Sequence, residues 1–120
     1  SNTALGSLVV CEFTNMGVAD EYFARVLSSV TGIQYDTGEM IRVGERVWNL
    51  ERMYNLREGF TSKDDTLPPR LLNDAPTDGP SKGWVVQLEP MLKEYYRGRG
   101  WDENGIPTPK KLADLGLANL

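Results

Sequence analysis

The stretch 37–58, TGEMIRVGERVWNLERMYNLRE, constrains the fold most. Val43, Val47, Leu50 and Tyr54 recur at the spacing of one helical stripe, and Met40, Ile41 and Trp48 widen it. Asp36 followed by Glu39 forms a capping-box pattern at one end, and Gly59 stops the helix at the other. At 1.5 Å per residue such a helix is roughly 33 Å long, the width of a small domain. The rest of the chain is expected to fold around it.

The flanking segments read as further helices. In 4–14 (ALGSLVVCEFT), Leu5, Leu8 and Val9 share a helical face with Cys11 near its edge, although Val9-Val10 also suit a strand. Residues 18–31 place Tyr22, Phe23, Val26, Leu27 and Val30 at helical spacing, and Gly32 sits at the C-cap. Residues 88–97 form a helix with Pro90 in its first turn and Gly98 and Gly100 at its end. WDENGIP (101–107) is a turn, and Thr108-Pro109 opens a short last helix carrying Leu112 and Leu115, ended by Gly116. Between 60 and 86, Pro68-Pro69, Pro76, Asp78-Gly79-Pro80 and Lys82-Gly83 predict a long loop. The expected fold is all-α: one irregular multi-helical domain over 1–120, about five helices with long ordered loops. Ser1-Asn2 read as the remnant of an expression tag and are set aside.

Composition removes several functions. The 120 residues carry a net charge of −4 with no basic footprint for nucleic acid. The longest apolar run is Leu8–Cys11, far short of the ~20 residues of a membrane span, and no signal peptide is visible. There is no histidine, so the commonest general base and metal ligand is missing. The single cysteine excludes an intrachain disulfide and a complete cysteine metal site, and it fits a reducing cytosol.

The remaining candidates weigh towards structure. Asp64-Asp65 could approach a hard cation, but no Asp-x-Asp-x-Asp-Gly pattern follows. One is expected to cap its loop and the other to pair with Arg57 or Arg70. Arg52 and Arg57 suit the C-terminal end of the long helix. Tyr95, Tyr96 and Trp101 read as core aromatics rather than a stacking platform. A lone cysteine such as Cys11 ordinarily packs as a small apolar group. No catalytic residue is identified.

Five ordered blocks carry a resemblance: VTG (30–32), GERVWNLERMYNLREG (44–59), DDTLPPR (64–70), MLKEYYRGRGWDENGIPT (91–108) and KLADLGL (111–117). In order and spacing they resemble the C-terminal helical region of the tungsten-containing aldehyde ferredoxin oxidoreductases, across about Ser7 to Leu117. The resemblance implies a cytoplasmic, oxygen-sensitive oxidoreductase of anaerobes. Such an enzyme oxidises aldehydes with water to carboxylates and passes electrons to ferredoxin. Its cofactors would be tungsten, or molybdenum, held by two molybdopterin-type pterin dithiolenes, and a [4Fe-4S] cluster for electron transfer.

In that family three cluster ligands lie upstream as Cys-x-x-Cys-x-x-x-Cys, a run absent here. The fourth lies in Asp-x-x-Gly-Leu-Cys, whose place is taken by Gly6-Ser7-Leu8-Val9-Val10-Cys11. Cys11 therefore matches the fourth cluster ligand, as cofactor-binding and metal residue. Gly6 replaces an Asp that contacts the pterin, and Val9 replaces the Gly. The expectation is a C-terminal fragment that is inactive alone and holds no cofactor by itself. Its partners would be the parent's N-terminal and middle domains and ferredoxin, and the fragment would self-associate as a homodimer through Leu8–Phe13. The alternative is a stand-alone helical protein-interaction domain without catalysis, which the Gly6 departure supports.

Overall fold

The computed structural model describes residues 2–119, apart from the side chains of Glu12 and Asn15. The described residues are all-α, as expected. The elements are α1 (Asn2–Ser7), a 3-10 helix (Glu12–Met16), α2 (Asp20–Thr31), α3 (Thr37–Arg57), α4 (Pro69–Asn73), α5 (Leu88–Arg99) and α6 (Pro109–Asp114). The only extended pairing among them is an antiparallel bridge between Trp101 and Pro107. The chain divides into two compact units. One comprises the residues up to Arg52 with those from Leu112 onward, and the other is Met53–Lys111.

In the first unit, Ala4 and Leu5 of α1, Ala24 of α2 and Met40 of α3 form the core. Leu8, Phe23, Leu27 and Tyr35 pack against it. Small residues let the helices approach: a Cβ at Gly44 would lie 3.3 Å from the backbone nitrogen of Ala4. The buried face of α3 is thus Met40 and Gly44 with Asn49, whose amide donates to Glu45 O at 2.8 Å. The sequence stripe pointed elsewhere, and Leu50 and Tyr54 are in fact exposed. Asp36 caps α3 as expected, its Oδ1 accepting from Glu39 N–H at 2.8 Å. Between α2 and α3 the hydroxyl of Ser28 accepts from Tyr35 N–H at 2.8 Å and donates to Ala24 O at 2.8 Å, which ties the connection to α2. Leu115 and Leu117 are buried, and Arg42 Nη2 donates to Asp114 O at 2.6 Å.

In the second unit, Tyr96 and Trp101 are buried and Tyr95 meets Trp101 edge-on, with ring centroids 5.7 Å apart. Asp102 closes the following turn, its Oδ1 accepting from the N–H groups of Asn104 and Ile106, both at 2.9 Å. Thr108 caps α6 through Lys111 N–H at 3.2 Å, with Pro109 in the first position. Two expectations are corrected here. Helix α5 runs through Gly98 and ends only at Gly100, in the left-handed conformation at φ 72°. The loop after Gly59 contains a short helix, α4, in which Pro69 occupies the helix start that a proline tolerates.

Candidate functional site

The expected helix over 4–14 breaks in the middle, and the break places Cys11. Helix α1 ends with Val9 N–H bonded to Gly6 O at 3.1 Å and Val10 N–H bonded to Leu5 O at 3.4 Å. Val9 takes φ 57°. This is the Schellman arrangement, in which the residue just past the helix adopts the left-handed conformation. The same bond pair ends α3 at Gly59, α5 at Gly100 and α6 at Gly116, and each of those residues is a glycine with positive φ. Only Val9 among the described residues is a non-glycine with positive φ. A β-branched side chain is strained there by about 1–2 kcal/mol. The glycine that the resemblance implies at this position would relieve that strain.

After Val10 the chain is extended. Cys11, at φ −61° and ψ 128°, precedes the 3-10 helix, and its carbonyl accepts from Thr14 N–H at 3.1 Å and Thr14 Oγ1 at 2.6 Å. Its thiol is free and exposed. The packing ordinary for a lone cysteine does not hold here: the turn presents the thiol outward. Val9, assigned to a shared inward face with Leu5 and Leu8, is 94% exposed, so that assignment is corrected as well. Leu5 is buried in the core, and Leu8 packs against it.

Cys11 supplies one thiolate donor, the ligand type an iron–sulfur cluster needs. Among the described residues no group of three or more His, Cys, Asp or Glu side chains lies together to hold a metal ion. At Gly6 an added Cβ meets nothing within 4 Å, so a carboxylate there has space.

Asp64-Asp65 is not a metal site. Asp64 Oδ2 accepts from Thr61 N–H at 2.8 Å and from Thr61 Oγ1 at 3.1 Å, the expected loop cap. Asp65 accepts from the Tyr96 hydroxyl, a partner no local pattern indicated. Arg57 lies 3.5 Å from the Glu58 carboxylate and stacks over the Tyr54 ring. No described helix is long and apolar enough to cross a membrane.

Comparison with known proteins identifies the family. The family model described as aldehyde ferredoxin oxidoreductase, domains 2 and 3, matches residues 1–117. The tungsten-containing aldehyde ferredoxin oxidoreductase of Pyrococcus abyssi is 42% identical over 109 residues, which are 90% of this chain and 18% of that protein. The Pyrococcus furiosus enzyme of the same name is 39% identical, over 97% of this chain and 19% of its own length. The WOR-like subunit of an aliphatic sulfonate oxidoreductase from Pyrococcus furiosus is 30% identical over 92% of this chain and 19% of its own length. Among solved structures, the active-site complex BamBC of benzoyl coenzyme A reductase, bound to 1,5-dienoyl-CoA, superposes with a TM-score of 0.67 at 27% identity. That match covers 84% of this chain and 14% of the other. The chain thus spans less than a fifth of the length of these relatives. By its sequence and its fold, the chain belongs to the aldehyde ferredoxin oxidoreductase family, within the region described as domains 2 and 3.

Proposed function

We propose that this chain is the C-terminal helical part of an aldehyde:ferredoxin oxidoreductase, and that Cys11 is one of the four thiolates holding its [4Fe-4S] cluster. One observation supports the reading: α1 ends so that the Cys11 thiol leaves the helix on extended backbone, free and exposed, at the position that the resemblance implies for the fourth ligand. Each part has a physical role. The core of α1, α2 and α3 fixes the helix end, the Val9 turn reverses the chain, and the Thr14 contacts hold the Cys11 carbonyl.

The parent reaction would convert an aldehyde and water into a carboxylate. The tungsten (or molybdenum) bis-pterin would supply the redox chemistry, and ferredoxin would accept the electrons. Tungsten in the names of the relatives supports that choice of metal. The upstream domains would supply the other cluster ligands and the substrate pocket, in the cytoplasm of an anaerobe. Separated from them, the chain would be inactive and would self-associate through Leu8–Phe13, where Val9 and Phe13 are 94% and 79% exposed.

The test is Cys11→Ala in the complete enzyme, purified without oxygen. Loss of the cluster's visible absorbance and of electron transfer to ferredoxin is expected, whereas a full cluster in the variant would refute the assignment. A second reading, a stand-alone interaction domain, draws on Gly6, which offers no carboxylate to a pterin. It predicts that Cys11→Ala changes no redox property at all.

A further inference from the structure

Helix α2 is apolar on two sides, and only one of them is covered. Phe23, Ala24 and Leu27 face the core of the first unit. On the other side Tyr22, Val26 and Val30 are 51%, 62% and 80% exposed. Beyond the first turn α2 carries a single charge, Arg25, whose guanidinium lies 5.9 Å from the centre of the Tyr22 ring. The hydroxyls of Ser29 and Thr31 donate to the helix's own carbonyls, to Arg25 O at 2.9 Å and Leu27 O at 2.8 Å. These polar groups thus need no water. Tyr22, Val26 and Val30 thus form a bare apolar strip on the open side of α2, and such a strip marks a contact surface. An open recess of about 320 Å³ lies along Tyr22, Arg25, Val26, Ser29 and Val30.

We infer that the Tyr22–Val26–Val30 face of α2 is a docking surface for the remaining polypeptide of the same enzyme. The inference rests on the proposed function. The occupant follows from length: the relatives extend over five times as far as the segment they share with this chain, which is 18–19% of them. The covering surface is apolar, with an acceptor (a carboxylate or a carbonyl) for Arg25 at its edge. Cutting this face off from water would bury the exposed parts of three large side chains.

Val26→Cys and Val30→Cys, each made with Cys11 retained, test this by alkylation with iodoacetamide and site-resolved mass spectrometry. Both are made in the 120-residue chain and in the complete enzyme. The expected result is rapid labelling in the short chain and labelling at least about tenfold slower in the complete enzyme. Equal rates at both sites in an assembled, tungsten-containing enzyme would overturn the docking surface while leaving the proposed function standing. Protection in the short chain that grows with its concentration would assign the face to a second copy and likewise overturn the inference. Recovery of the chain only as a free 120-residue protein would instead overturn the proposed function on which the inference stands. Val26→Cys and Val30→Cys report independently, so misfolding of one leaves the other decisive.

Discussion

Helices α2 and α5 have the same length, 12 residues, and each buries one face, yet their open faces differ in composition. On α5 the open face carries Glu89, Lys93, Glu94 and Arg97, with Lys93 Nζ 2.7 Å from Glu89 Oε1 and Arg97 Nη2 4.0 Å from Glu94 Oε1. On α2 it carries Tyr22, Val26 and Val30 beside Arg25 and Ser29. A charged face is made for water, because its side chains keep their hydration and screen one another. An apolar face of that size is made for contact. The proposed docking surface is a face of the second kind.

The largest effect should come from the buried sides, where the two helices are alike. Trp101→Ala empties the aromatic cluster beneath α5 and should cost about 3–5 kcal/mol in denaturant unfolding. Leu27→Ala under α2 should cost about 2–3 kcal/mol, since Leu27 is only half-buried. A loss under 1 kcal/mol at either site would mean that the helix does not pack as described. Next in size is Tyr96→Phe, which leaves Asp65 without its hydroxyl donor and should cost about 1–3 kcal/mol.

Val9→Gly acts on the turn before Cys11. Relief of left-handed strain outweighs the added chain entropy, so stability should rise by about 0.5–1 kcal/mol, read as a higher melting temperature. On the open face of α2, the double change Val26→Lys with Val30→Lys should alter the stability of the short chain by less than about 0.5 kcal/mol, because both side chains are exposed. The same change should block assembly of the complete enzyme, a contrast that no charge substitution on the open face of α5 should reproduce.

The smallest effect is electrostatic. Lys93 hydrogen-bonds Glu89 and holds its carboxyl below the usual carboxylate range, while Glu89 in turn raises the Lys93 ammonium. The Glu89 contribution is present above its unfolded pKa and is lost as pH falls through the lowered folded value. The Lys93 contribution is present below its unfolded pKa and is lost as pH rises through the raised folded value. Both groups are fully exposed, so Glu89→Gln should lower the melting temperature slightly at neutral pH and not at all in strong acid. The difference should shrink in high salt.

Much of this was legible in the sequence because helix ends are written locally. Asp36, Gly32, Gly100, Thr108-Pro109 and Gly116 act within a few residues of themselves, and each sits where its chemistry predicts. What escaped depends on contacts between distant segments. The approach of Ala4 to Gly44 and the bond from Tyr96 to Asp65 have no local signature. The break after α1 was hidden for a different reason: Val9 does a glycine's work, so the usual mark of a helix end was missing. The exposure of Cys11 follows from that break.

The most direct test of the central claim is to purify, without oxygen, the polypeptide that carries this sequence in its native cell, and to measure its intact mass and its metals. The account predicts a chain several times longer than 120 residues, with tungsten or molybdenum and with four irons per cluster. A metal-free protein of 120 residues would contradict it.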